Sequence, residues 1–249
     1  MTTDALTTPH RRLTFLATHL WIPLAVLLPL LLVLEMTNVD QMVTGWFFDE
    51  ATQRFPLHYD ATFEIITHHW AKYVVVLIAC AVIGAWLMSF ILPALKNRRT
   101  VLLFLGLAMT LAPATVSFLK SQSHRSCPYD LVEYGGNAPY VGLFKAAPPG
   151  DYAGRCFPSG HASAGFCLFA FYFAGLALRR RRLAMAGLWG GFAAGMLFGL
   201  ARIAQGAHFL SHNLWSGLVC WLVVLAIYVL IFGPQAEPSA APVANRAPG

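Results

Sequence analysis

Long apolar stretches separated by short polar ones dominate the chain, and six of them reach the length of about 20 residues that a hydrocarbon core of about 30 Å demands of a helix. The pattern predicts spans near 14–34, 72–93, 101–119, 161–178, 184–204 and 213–232. Leu, Ala, Val and Phe follow one another in these stretches without the alternation of a β-barrel wall, so each backbone must satisfy its hydrogen bonds within its own helix. The expected fold is an all-α, six-helix transmembrane bundle with a long outer loop between the third and fourth spans. Residues 1–232 read as one domain, and the Pro- and Ala-rich run 233–249 as a disordered tail. The first stretch follows Arg11 and Arg12 as a secretory signal would. It is too long for one, and no small-x-small cleavage site follows it, so it is read as a span.

Hydrophobic residues make up 57% of the chain and charged residues 11%, which makes lipid the solvent of most of it. A formal charge of +6 raises the question of a nucleic-acid partner, yet the cations are distributed as topology signals. His10, Arg11 and Arg12 precede the first span; Lys96, Arg98 and Arg99 lie between the second and third; Arg179 to Arg182 lie between the fourth and fifth. Short loops rich in Lys and Arg stay in the cytoplasm, and with six spans all three clusters fall on one side. Between the first two spans Asp40, Asp49, Glu50, Asp60 and Glu64 outweigh Arg54, which places that segment outside. Both termini are therefore expected in the cytoplasm, in a bacterial inner membrane, with no nucleic-acid partner and no obligatory protein partner.

Ionisable groups are costly at membrane depth, so where they gather is informative. Three clusters stand out: Lys120 to Pro128, Arg155 to His161, and Arg202 to His212. The topology puts all three on the outer face, although its derivation uses none of them. Ser159 and Gly160 open a helix, where a hydroxyl and free backbone N–H groups can face an anion; the plainer alternative is an N-cap and nothing more. Lys120, Arg125 and Arg202 bring positive charge, and Arg grips phosphate oxygens in pairs, though a single Arg can also merely snorkel to headgroups. His161 and His208, from different helices, can then serve as acid and nucleophile without a metal or other cofactor. His208 and His212 are four apart and can share a helix face toward zinc. No Glu follows His208 as in a zinc protease, and a metal leaves the cations unexplained, so no metal is expected.

The spacing of these groups resembles the signature of the type 2 phosphatidic acid phosphatase superfamily, which includes bacterial acid phosphatases, lipid phosphatases and vanadium haloperoxidases. Pro158-Ser159-Gly160-His161 matches its second element, Arg202 and His208 with five residues between them match the third, and Lys120 with Pro128 frames the first. The resemblance implies a membrane phosphatase acting on a lipid phosphate monoester or diphosphate at the outer face. His208 would attack phosphorus, His161 would protonate the leaving oxygen, and Lys120, Ser159, Gly160 and Arg202 would hold the phosphoryl oxygens. Two positions depart from the pattern. Cys127 stands where an arginine is expected, with Arg125 as the candidate substitute, and His212 stands where an aspartate would orient the nucleophile. Either His212 suffices there, or Asp130, Glu133 or Asp151 folds in from the loop. A lipid-to-lipid phosphotransferase and a non-catalytic membrane or transport protein of the same fold remain as alternatives.

Cys80, Cys167 and Cys220 fall in spans and read as small hydrophobes. Cys127 and Cys156 fall in the outer loop, in a compartment where disulfides persist. Their positions suggest a mutual disulfide that would steady the loop between Lys120 and His161. Spacing alone does not set connectivity, and two unrelated thiols are the alternative.

Overall fold

The computed structural model describes residues 7–145 and 154–234; the expected tail from residue 235 onward and Asp151 lie outside them. The regular elements among the described residues are helical, apart from two isolated bridges. Among the described residues, six helices are long and apolar enough to cross a membrane. In chain order the elements used below are α1 (Arg12–Met36), a short α2 (Val39–Gly45), α3 (Ala61–Met88), α4 (Arg99–Ser121), α5 (Gly160–Ala177), α6 (Arg181–Ala204) and α7 (Leu210–Phe232).

Five of the six long helices lie within a few residues of the expected spans, whereas α3 starts well before the expected 72–93 and ends sooner. The reason is local. The Asp60 carboxylate accepts the Phe63 N–H at 2.8 Å and caps the helix there, which outweighs the weaker apolar character of the first turns. At the other end the guanidinium of Arg99 donates to the Ser89 carbonyl at 2.7 Å and lies over the Phe90 ring, 4.0 Å from its centroid, closing the chain into a turn before Pro93.

Lipid tails are as apolar as leucine, so helices in a membrane are held by close packing and hydrogen bonds. α6 meets that demand with a buried stripe of Gly187, Gly191, Gly195 and Gly199 along one face. A Cβ at Gly187 would strike the backbone of Phe171 and Tyr172, at Gly195 the Phe166 ring, and at Gly199 the Asn213 side chain. α5 thus approaches α6 nearly backbone to backbone at Gly187, and α7 sets the Asn213 side chain into the space left at Gly199. α1 is tied to the same core by polar contacts, with the His19 ring 2.8 Å from the Tyr172 hydroxyl and Trp221 Nε1 donating to the His19 carbonyl at 2.6 Å.

A second, smaller apolar cluster sits at one end of the bundle, where Phe55, Leu131, Tyr134 and Phe209 pack together. It joins the segment between α2 and α3, the chain after α4, and the turn between α6 and α7. That turn needs glycine at Gly206, whose φ is +67° and whose missing Cβ leaves room for the Phe55 ring. The Gly206 carbonyl accepts the Tyr129 N–H at 2.9 Å. Between α4 and α5 the chain runs through two 3-10 turns, Pro128–Asp130 and Val132–Tyr134.

Candidate active site

The three clusters picked out by their polarity converge beneath this apolar cap, and backbone bonds hold them in register. Cys156 N–H donates to the Arg125 carbonyl at 2.9 Å, and Ser159 N–H donates to the His212 carbonyl at 3.1 Å. The Ser216 hydroxyl, on α7, reaches the Ser159 carbonyl at 2.8 Å. Cys127 and Cys156 are joined by a disulfide with their Cα atoms 5.2 Å apart. The start of α5 is therefore pinned to α7 on one side and to the chain leaving α4 on the other.

His208 lies in the α6–α7 turn, 2% exposed. Its Nδ1 is 3.5 Å from both Cys156 Sγ and His212 Nδ1. The imidazole is held well below its usual pKa, first by burial and then by the charges of His212, Lys120, Arg202 and His161. Those four groups are thus the ones whose fields reach it. A neutral imidazole with a free lone pair is what a nucleophile requires, and the same cations that keep it neutral would attract a phosphate. The 3.5 Å separation from His212 is longer than an ordinary hydrogen bond, so His212 sets the ring's position more by packing than by a strong bond.

Ser159 caps α5, its Oγ accepting the Ala162 N–H at 3.4 Å. The cap uses the oxygen as acceptor and leaves the hydroxyl proton to be donated. Beside Gly160 the place of a Cβ is open, with no atom within 4 Å. Arg202 is aimed by Gln205, whose Oε1 accepts from Nη1 at 2.6 Å, while Gln205 Nε2 donates to the Leu57 carbonyl at 3.3 Å. Arg202 Nε is buried without a hydrogen-bond partner.

Arg125 is also brought to this end of the molecule, but most of its donors are engaged. It pairs with Glu35 at 3.4 Å and donates to the Val141 carbonyl at 3.1 Å and the Tyr140 hydroxyl at 3.0 Å, leaving Nη1 without a partner. Glu35 accepts in addition from the Leu143 N–H. Among the described residues, neither Asp130 nor Glu133 forms a hydrogen bond or ion pair with His208 or His212. The acid that reaches the start of α7 is Asp40 of α2, whose Oδ1 accepts the Ser211 N–H at 2.9 Å. Burial pushes its carboxyl up.

Glu35, Asp40, Tyr140 and Gln205 were not singled out from the sequence as site residues. Glu35 carried a usable signal, being a carboxylate at the end of an otherwise apolar run, which must find a cation. Next to the site, a cavity of about 430 Å³ lies between the ends of α4 and α7. Leu119, Phe157, Trp215 and Val219 give it apolar walls, and Ser123 and Arg125 a polar floor.

A family model described as the PAP2 superfamily matches residues 101–235, a range that holds Lys120, Ser159, His161, Arg202, His208 and His212. A relative from Francisella tularensis subsp. novicida (strain U112), named lipid A 4'-phosphatase, is 26% identical over 203 residues, covering 78% of this chain and 87% of the relative. No solved structure matches the chain.

Proposed function

Because the chain belongs to the PAP2 superfamily, we propose that it is an integral membrane phosphatase that removes phosphate from a lipid monoester or diphosphate at the outer membrane face, through a phosphohistidine on His208. The observation that carries the reading is the setting of His208: buried, held neutral, and surrounded by the fields of Lys120, Arg202 and His161.

Nδ1 of His208 is occupied by contacts with Cys156 and His212, which leaves Nε2 for phosphorus. The Nε2–P bond forms as the bond from phosphorus to the lipid oxygen breaks, and His161 gives that oxygen its proton. Lys120, Arg202, the Ser159 hydroxyl and the Gly160 N–H hold the three equatorial oxygens, where charge shifts in the transition state. Arg125 adds its unpartnered Nη1. A water then attacks the phosphohistidine, its proton passing to His161, and inorganic phosphate leaves with His208 restored.

The cavity beside Phe157 and Trp215 supports a lipid substrate, since its apolar walls can take acyl chains while the headgroup meets the cations. The relative's name makes a lipid A phosphate the first substrate to assay. Purified protein should release inorganic phosphate from that substrate or from phosphatidic acid, phosphatidylglycerol phosphate or polyprenyl diphosphate. An alkaline quench during turnover of a substrate with a labelled phosphate should trap a base-stable, acid-labile phosphoryl group on the peptide containing His208. His208→Ala should abolish both signals, and His161→Ala should slow turnover most for poor leaving groups. A His208→Ala protein that keeps more than about a tenth of wild-type activity is incompatible with nucleophilic attack by this residue, whose loss should cost at least the 10²-fold typical of acid–base groups.

A further inference from the structure

The disulfide does more at this site than brace a loop, because its Cys156 sulfur stands against the proposed nucleophile. Cys156 Sγ, a nitrogen of His208 and a nitrogen of His212 all lie within 4.8 Å of one another, and all three residues are buried. We propose that the Cys127–Cys156 disulfide guards a latent zinc site, made of Cys156, His208 and His212, which forms when the disulfide is reduced and silences the enzyme.

The donor set fits, and so do the two edges that meet at His208, the third lying within 4.8 Å. Two imidazole nitrogens and one thiolate, with a fourth position open, are a zinc set of ordinary chemistry. Zinc bonds of about 2.0–2.1 Å to nitrogen and about 2.3 Å to sulfur, at tetrahedral angles, imply N···N edges of about 3.3–3.4 Å and N···S edges of about 3.5–3.6 Å. The edges from His208 Nδ1 are 3.5 Å to His212 Nδ1 and 3.5 Å to Cys156 Sγ. In the oxidised protein the sulfur is bonded to Cys127 and has no thiolate charge to offer. A dithiol reductant would give two electrons and two protons to the disulfide and become a disulfide itself. The Cys156 thiol would then lose its proton on binding zinc. Little movement is needed, since Cys156 is fully buried and its N–H stays bonded to the Arg125 carbonyl.

Silencing follows from the imidazole's two nitrogens. Zinc on Nδ1 takes that lone pair and leaves the ring proton on Nε2, so Nε2 has no electrons with which to attack phosphorus. This second half rests on the role given to His208 above; the metal site itself does not.

Cys127→Ser leaves Cys156 with no partner and makes the test independent of any reductant. The full-length variant, purified in detergent, incubated with zinc chloride and desalted, should hold about one zinc per chain. Its phosphatase activity should fall at least tenfold and return with chelator. The Cys127→Ser/Cys156→Ser double variant should bind zinc at least tenfold more weakly, and oxidised wild-type protein likewise. A Cys127→Ser protein with native helical circular dichroism that takes up no zinc overturns the proposal, as does equal uptake by the double variant. Wild-type protein reduced with a trialkylphosphine before zinc is added gives the same reading should Cys127→Ser fail to fold. Zinc bound at full activity would leave the metal site standing and overturn His208 as the nucleophile.

Discussion

Glu35 at the end of α1 and Arg125 beyond the end of α4 form an ion pair of 3.4 Å, with side chains only 8% and 7% exposed. The pair ties α1 to the segment that carries Cys127. It also fixes what Arg125 can do, since a guanidinium already matched by a carboxylate attracts phosphate less than an unmatched one.

Glu35→Gln should therefore destabilise the protein by about 3–5 kcal/mol, the cost of leaving a buried charge without its partner. Thermal unfolding in detergent micelles reads this directly. Glu35→Leu combined with Arg125→Met should recover most of the loss, because an apolar pair asks for no compensation. Unchanged unfolding in Glu35→Gln would mean that the pair is solvated and that Arg125 is free for substrate.

His212 should act on turnover rather than on binding. Its distance from His208 allows positioning but not strong hydrogen bonding, so His212→Ala should lower kcat by about tenfold or more with little change in KM. His212→Asp restores the acid found at this place in the family signature and should retain activity. Steady-state kinetics on a soluble short-chain lipid phosphate separate the two parameters. A folded but inactive Asp variant would mean that the space around His208 is shaped for imidazole.

The depressed pKa of His208 has a sign that can be checked in both activity and stability. In the folded protein the imidazole remains neutral below the ordinary value of 6.5, so the acid limb of kcat/KM should lie on the low side of that value. For stability, the unfolded chain takes up a proton at this residue as pH falls through 6.5, whereas the folded chain does not. This contribution is fully present above pH 6.5 and is lost progressively as pH drops toward the lowered folded value. His208→Gln should flatten that part of the pH profile of unfolding. An unchanged profile would mean that His208 is solvated.

The distribution of cations predicts that both ends of the chain are cytoplasmic. A reporter enzyme that works only in the periplasm, fused after Gly249, should stay silent, while the same reporter inserted in the segment between α1 and α3 should be active. The opposite pattern would invert the topology and move the site to the inner face.

Much of this protein is decided by the sequence alone. Whether a stretch crosses a membrane depends on its own length and apolarity, which is why five of the six long helices lie where hydropathy predicts. The residues proposed to bind phosphate, Lys120, Ser159, His161, Arg202 and His208, stand out in the sequence by their clustering between apolar spans and by the resemblance of their spacing to a family signature. What depended on distant parts of the chain was not legible. The Glu35–Arg125 pair and Asp40 on the Ser211 N–H each join groups whose separation in sequence says nothing of their separation in space. The glycine stripe of α6 belongs with them, since its meaning lies in the side chains and backbones that fill it. The meeting of Cys156 with His208 and His212 is the sharpest case. A cysteine, a histidine and a second histidine on two sides of α5 and α6 become a three-atom cluster only because close packing around α6 brings the starts of α5 and α7 together.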